Sequence, residues 1–111
     1  MSTAITVLLL TLAALLEVLG DAFVRSGLNA KTLGLRMLWL GLGAVVLLVY
    51  GVTVNGPRWD FGRLLGVYVA LFFVCAQLVS WLWFGQRPGL PILVGGALIV
   101  CGGAVITFWR T

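Results

Sequence analysis

The sequence contains no histidine, and only 9% of its 111 residues are charged. Soluble domains carry about 25% charged residues, so this composition excludes an ordinary soluble protein. Hydrophobic residues make up 62% of the chain, and the mean hydropathy is +1.18. A membrane protein of this length has room for about four spans in one domain, because each span takes about 20 apolar residues.

The missing residue types also limit the chemistry. Without histidine, proton chemistry near neutral pH depends on carboxylates in unusual surroundings. The two cysteines, Cys75 and Cys101, both lie inside apolar runs and are too far apart in sequence to suggest a metal clip. The sequence shows neither a metal-ligand cluster nor a nucleophile–base pair. We therefore expect a protein that is not an enzyme and that binds no cofactor or metal.

Basic residues outnumber acidic ones by seven to three, which gives a net charge of +4. They punctuate the gaps between apolar runs and form no run of like charge, so we interpret them as anchors for helix ends at the lipid headgroups. The expected partner of this surface is therefore the lipid bilayer, and we expect no binding of nucleic acid.

Four apolar runs of helical length predict an all-α membrane protein with four transmembrane helices. The predicted spans, within a single domain of residues 1–111, are residues 4–24, 37–54, 64–84 and 91–108. Links this short make each helix antiparallel to its neighbour in sequence. Tryptophans lie near the span ends, as in the aromatic belts of membrane proteins: Trp39, Trp59, Trp83 and Trp109.

Glu17 is the most unusual residue of the first span. A carboxylate near the middle of a bilayer costs roughly 2.5–3.5 kcal/mol, so it usually faces a partner, a cavity or a pathway. Asp21 and Arg25 follow at intervals of four residues and share its helical face. Two alternatives are open for Asp21: an ion pair with Arg25, or a second carboxylate in a cavity.

Positive charge is divided almost evenly between the two membrane faces. If the helices alternate in direction, one face holds three basic residues and the other holds four, and an excess of such residues on the cytoplasmic side is what sets orientation. Either the chain inserts both ways and pairs with an inverted copy, or one orientation is fixed by Arg25, Lys31 and Arg36. The two sets are Arg58, Arg63 and Arg110 against Arg25, Lys31, Arg36 and Arg87.

Several strings of the sequence match a known family. Residues 16–20 read Leu-Glu-Val-Leu-Gly, residues 80–87 read Ser-Trp-Leu-Trp-Phe-Gly-Gln-Arg, and residues 95–102 read Gly-Gly-Ala-Leu-Ile-Val-Cys-Gly. With four spans and a near-even charge balance, the chain resembles the small multidrug resistance family of bacterial exporters, part of the drug/metabolite transporter superfamily. The resemblance implies a multi-pass protein of the bacterial inner membrane.

The third span departs from that family's pattern. Leu65 stands where the family has a substrate-site tyrosine, and Tyr68 stands at the position of its tryptophan. Ala70 and Phe72 replace the two glycines of its kink. Gly62, Arg63 and Tyr68 are also similar to the YnfA-like (UPF0060) membrane proteins. The chain therefore looks like an outlying member of the superfamily.

The resemblance implies a proton-coupled antiporter that exports small cationic or amphipathic compounds by alternating access in an antiparallel dimer. Glu17 would bind either a proton or the substrate, and Asp21 and Tyr68 would complete the substrate site. The sequence leaves two other functions open. One is half of a heterodimeric flippase for a lipid-linked or polar metabolite, and the other is a non-transporting membrane scaffold. The implied dimer interface consists of Gly95, Leu98, Ile99 and Gly102.

For several other small, polar and aromatic residues, both a structural and a functional interpretation are open. The glycines of spans 2 and 4 permit close helix contact, either within the chain or with a second copy. Gln77 and Ser80 are expected to donate hydrogen bonds between helices, and the alternative is that they line the cavity. Aromatic rings bind organic cations, but for each ring alone packing is the simpler interpretation. The glycines are Gly41, Gly43, Gly96 and Gly103 besides those of the interface, and the aromatic residues are Trp39, Tyr50, Tyr68, Phe72 and Trp81.

Overall fold

The computed structural model describes residues 2–109, which contain four α-helices. Each helix is long and apolar enough to span a bilayer, so the predicted all-helical fold with four spans is confirmed. The predicted spans lie inside these helices, which continue past them into more polar sequence. The helices are α1 (Thr3–Leu28), α2 (Leu33–Val54), α3 (Phe61–Phe84) and α4 (Leu90–Phe108).

The helix ends follow ordinary capping chemistry. The Ser2 hydroxyl accepts a hydrogen bond from the Ile5 amide at 3.2 Å, and the Thr32 hydroxyl accepts one from the Leu35 amide at 3.2 Å. Gly85 ends α3 in the left-handed region with φ +67°, a conformation that glycine adopts without a steric penalty. The short links between helices therefore reverse the direction of the chain, so that each helix runs back across the layer.

The four helices form a row in the order α2, α1, α3, α4. Among the described residues, α1 packs against α2 and α3, α3 packs against α4, and no other pair of helices makes close backbone contact. The molecule measures 54 × 34 × 18 Å, and a helix with its side chains is about 10–12 Å across. The fold is therefore a layer less than two helices thick, and both of its broad faces are open to lipid or to another protein.

Glycines set the closest helix contacts within this layer. A Cβ atom on Gly43 of α2 would lie 2.7 Å from Val24 and 3.0 Å from the carbonyl oxygen of Gly20 in α1. On α4, a Cβ on Gly96 would overlap Phe73, and one on Gly103 would overlap Ala70 of α3. Small residues thus let the backbones approach each other in lipid.

The structure separates the glycines that the sequence left undecided. Gly96 and Gly103 pack within the chain against α3, whereas nothing lies within 4 Å of a Cβ placed on Gly95 or Gly102. For Gly41 the structure excludes the contact within the chain, because an added Cβ there also meets nothing within 4 Å, and contact with a second copy stays a prediction. Gly43 alone has that role in α2, since its face of the helix points at α1.

Arginine side chains lie over aromatic rings at both ends of α3. The Arg63 guanidinium is 4.2 Å from the centroid of the Trp59 ring, just before the helix begins. At the other end, Arg25 lies 5.3 Å from the Phe84 ring and Arg87 lies 5.5 Å from Trp81. Such pairs place a cation and an amphipathic ring together, as expected where a helix meets the headgroups.

The contact between α1 and α2 predicts opposite effects for two glycines of the same helix. Gly43→Ala should lower the free energy of unfolding by about 1–3 kcal/mol, because the new methyl group overlaps Val24 and the Gly20 carbonyl. Gly41→Ala is the matched control and should raise it by up to about 1 kcal/mol through helix propensity. Unfolding of the purified variants in mixed micelles by a denaturing detergent measures both, and equal effects would contradict this packing.

Candidate functional site

The inner stripe of α1 is built from small and apolar side chains. Thr6, Leu10, Ala13 and Ala14 have no exposed surface, and Val18 is also buried. The two alanines leave room for α3 to lie close to α1. Glu17 falls between these residues, near the middle of the helix, and is half-buried.

Glu17 is bonded to Tyr68 across the α1–α3 contact. The Tyr68 hydroxyl donates a hydrogen bond to Glu17 Oε1 at 2.5 Å. Tyr68 is only 5% exposed, so its hydroxyl is shielded from the surroundings of the protein. Hydrogen bonds to carboxylates are among the strong ones in proteins, particularly away from water. The structure therefore brings together two of the three residues predicted for the proton and substrate site.

Two further aromatic rings adjoin Tyr68. The Tyr50 ring of α2 has its centroid 5.8 Å from that of Tyr68, and the centroid of the Phe72 ring lies 6.1 Å from it. Residues from α1, α2 and α3 therefore meet around Glu17. The residue that donates to the Glu17 carboxylate therefore belongs to a cluster of three aromatic rings, and aromatic faces bind organic cations.

Two other aromatic candidates lie elsewhere. Trp39 packs against Phe23 and Trp83, with ring centroids 5.4 and 6.3 Å away. Phe23 is two residues from Asp21 and thus about 200° around α1 from the acidic stripe. Trp81 is 46% exposed and pairs with Arg87. These tryptophans belong to packing and anchoring, in line with the simpler interpretation.

A cleft of about 420 Å³ opens between the C-terminal halves of α1 and α3. Phe72 lines it and also packs on Tyr68, so the cleft begins beside the Glu17 site. Asp21 and Arg25 both line the cleft and are exposed, and among residues 2–109 no ion pair within 4.0 Å joins them. Of the two alternatives for Asp21, the structure thus adopts the cavity and not the ion pair.

Ser80 and Gln86 form a polar wall of the cleft. Ser80 was expected to bond between helices, but its hydroxyl donates to Gln86 Oε1 at 3.2 Å in the link after α3. Both residues line the cleft. Gln77 instead lines a separate apolar groove between α3 and α4. For Gln86, the only feature of the sequence that indicates this position is Gly85, whose left-handed conformation turns Gln86 back toward the end of α3.

The predicted dimer interface lies at the far edge of the layer. Its four residues are on α4, which makes no close backbone contact with α1 within residues 2–109. Leu98 is 71% exposed, and Gly95 and Gly102 have no neighbour within reach of an added Cβ. The structure therefore leaves Leu98 and the space beside Gly95 and Gly102 open among residues 2–109, and it does not bring the four residues to Glu17.

Residues 2–109 contain no group of three or more side chains suited to hold a metal ion. What the arrangement offers is a carboxylate with one strong donor, flanked by aromatic faces and by a cleft that carries one acidic and one basic group. This combination can bind a proton or a cation, but it has no activated nucleophile.

Comparison with known proteins identifies the family. The UPF0060 membrane protein of Herpetosiphon aurantiacus is 37% identical over 106 residues, which cover 93% of each chain. That of Rhodococcus erythropolis is 33% identical over 99% of this chain and 100% of its own. The UPF0060 membrane protein YfjF of Bacillus subtilis is 34% identical over 94% of each chain.

No family model matches the sequence. No solved structure matches it either. The similarity to UPF0060 proteins seen in the third span is confirmed, while the resemblance to the small multidrug resistance family stays a prediction. With matches of this identity over nearly its whole length, the chain belongs to the UPF0060 family of multi-pass bacterial membrane proteins.

Proposed function

We propose that this protein is a proton-coupled antiporter that exports small cationic or amphipathic compounds across the bacterial inner membrane. The observation that carries the proposal is the hydrogen bond from Tyr68 to Glu17, held among aromatic rings of α2 and α3. It supports a transporter and not an enzyme, because the site binds charge without presenting a nucleophile.

The mechanism follows from mutually exclusive occupancy of Glu17. A carboxyl group can hold a proton or pair with a cation, but not both at once, so a bound cation takes the place of the proton. The Tyr68 hydroxyl stabilises the ionised form, and the rings of Tyr50 and Phe72 offer faces to the cation. Binding of substrate on one side therefore releases a proton there, and return of a proton on the other side releases the substrate.

A second, inverted copy of the chain would complete the site. Glu17 is only half-buried within the chain, and symmetric transporters place their sites between repeats near the bilayer midplane. The near-even division of basic residues permits insertion in both orientations. On α4, Leu98 is exposed and a Cβ added to Gly95 or Gly102 meets nothing within 4 Å, which leaves a stripe for contact with that copy. Alternating access then exchanges the roles of the two copies.

One observation favours a second candidate function. The exporters that this chain resembles have a glycine kink in the third span, whereas α3 is continuous from Phe61 to Phe84 and carries Ala70 and Phe72 at those positions. Half of a heterodimeric flippase for a lipid-linked or polar metabolite therefore stays the alternative. It predicts that this chain is inactive alone and active with a partner chain.

Glu17→Gln tests the central role of the carboxylate. In liposomes with an imposed pH gradient, we expect addition of an organic cation to release protons with the unchanged protein and not with the variant, because the amide cannot exchange a proton for a cation. Asp60→Asn is the matched control and should keep full activity, since Asp60 is exposed at the start of α3. Full proton release by Glu17→Gln would refute the proposal, and loss of the dimer in that variant would favour a scaffold.

Tyr68→Phe removes one hydroxyl from the site and keeps the ring. The ionised form of Glu17 then loses its donor, so we expect affinity for an organic cation to fall about tenfold. Tyr50→Phe keeps the Tyr68–Glu17 bond and should change affinity much less. Calorimetric titration of each variant in lipid nanodiscs gives the two dissociation constants, and equal losses would show that the bond has no special role.

Gly102→Leu tests the proposed contact between copies. Nothing in the chain fills the space beside Gly102, so the larger side chain should spare the fold of the protomer while it blocks close approach of a second α4. We expect cross-linked dimers and proton release to fall by about tenfold or more. Gly51→Leu on α2, where an added Cβ likewise meets nothing within 4 Å, is the control and should leave both unchanged.

A further inference from the structure

The cleft between α1 and α3 contains two opposite charges that do not neutralise each other. Asp21 and Arg25 are one helical turn apart and both line it. Within residues 2–109 neither takes part in an ion pair within 4.0 Å. Residues four apart on a helix have Cβ atoms about 5–6 Å apart, so an ion pair was within reach. Instead, the Arg25 guanidinium lies over the Phe84 ring, 5.3 Å from its centroid.

The rest of the cleft adds a neutral polar end and an apolar wall. Ser80 and Gln86 lie at the end near Arg25, where α3 meets its link. The wall is formed by aliphatic and aromatic side chains that lead toward Tyr68: Val18, Ala22, Phe72, Ala76 and Val79. A ligand in this space therefore meets an acid, a base and a hydrocarbon surface within about 420 Å³.

We propose that this cleft binds amphipathic zwitterions, compounds with an ammonium group, an anionic group a few bonds away and an apolar tail. The ammonium group pairs with Asp21, the carboxylate or phosphate group pairs with Arg25, and the tail lies along the apolar wall toward Phe72. The inference rests on the proposed transport function and specifies the substrate class of the same site.

The charges disfavour simpler ligands. A plain cation that pairs with Asp21 leaves its charge beside the Arg25 guanidinium, and a plain anion on Arg25 lies beside the Asp21 carboxylate. In each case one charged group of the cleft loses water without gaining a partner, which costs binding energy. A zwitterion satisfies both groups at once. Selection for zwitterions is therefore a property of this pair, whereas Glu17 alone would favour any cation.

Three matched compounds test the inference. 2-Aminodecanoic acid is the zwitterion, nonylamine is the same molecule without the carboxylate, and decanoate is the same molecule without the amine. Calorimetric titration into nanodiscs that contain the protein, with empty nanodiscs as the partition blank, gives a dissociation constant for each. We expect the zwitterion to bind about tenfold more tightly than either of the others, as charged hydrogen bonds of this kind provide.

Variants at the two charged positions locate the effect. Arg25→Gln should abolish the preference for 2-aminodecanoic acid over nonylamine, Arg25→Lys should retain most of it, and Asp21→Asn should abolish the preference over decanoate. Arg87→Gln is the control, because Arg87 lies at the same membrane face but outside the cleft. Equal affinity for zwitterion and amine in the unchanged protein would overturn the inference. So would a preference that survives Arg25→Gln.

Glu17→Gln separates this inference from the proposed function. The variant should still prefer the zwitterion, because Asp21 and Arg25 are intact, although it releases no protons. If the unchanged protein prefers the zwitterion but releases no protons, antiport is refuted and the inference about the cleft stands. If the unchanged protein releases protons with nonylamine but does not prefer the zwitterion, antiport stands and the inference about the cleft is refuted.

The same titrations identify the source of the ligand. If membrane lipid occupies the cleft, nanodiscs that contain phosphatidylethanolamine should weaken binding of 2-aminodecanoic acid relative to nanodiscs of phosphatidylglycerol, because only the former headgroup is a zwitterion. If the natural ligand is a free compound, the two lipids give equal affinity. Either result is consistent with zwitterion binding in the cleft. Weaker binding of 2-aminodecanoic acid in phosphatidylglycerol than in phosphatidylethanolamine would contradict it.

Discussion

The arrangement of this protein depends on one requirement, which is that the carboxylate of Glu17 must have a hydrogen-bond donor inside the hydrocarbon layer. Tyr68 meets the requirement from another helix, 51 residues along the chain. The bond links α3 to α1, and the buried alanines of α1 belong to the same core cluster as Leu64, Val67 and Tyr68 of α3. The outer helices then attach one to each side, α2 to α1 and α4 to α3.

The layer gives α1 two different faces. Glu17, Asp21 and Arg25 follow each other along one of them, while Phe23 on the other packs with the tryptophans of α2 and α3. Charge is thereby gathered on one face and the amphipathic rings that suit the headgroup level on the other. With this division, a single helix positions the proposed chemistry and also helps to seat the protein in the bilayer.

Much of this architecture could be predicted from the sequence, because long apolar runs define spans and a carboxylate within one of them is conspicuous. The spacing of Glu17, Asp21 and Arg25 also placed them on one face. The partner of that face could not be predicted, since helical periodicity says which residues lie together and not what lies opposite. In α4 apolar residues occur on every side, so no pattern could tell that Gly96 and Gly103 face α3 while Gly95 and Gly102 do not. The Ser80–Gln86 bond depends on a single left-handed glycine and left no wider trace.

The arginine–ring pairs at the two ends of α3 restrict how this helix can move. A vertical slide through the bilayer would carry Arg63 at one end or Arg87 at the other into hydrocarbon, at roughly 2.5–3.5 kcal/mol for a centrally placed arginine. A seesaw tilt keeps both guanidinium groups at the level of the headgroups. Phe72 lies at the midpoint of α3, between Tyr68 and the cleft, and therefore at the pivot of that tilt. A small angular change about this ring would widen the space beside Tyr68 as it narrows the cleft, or the reverse.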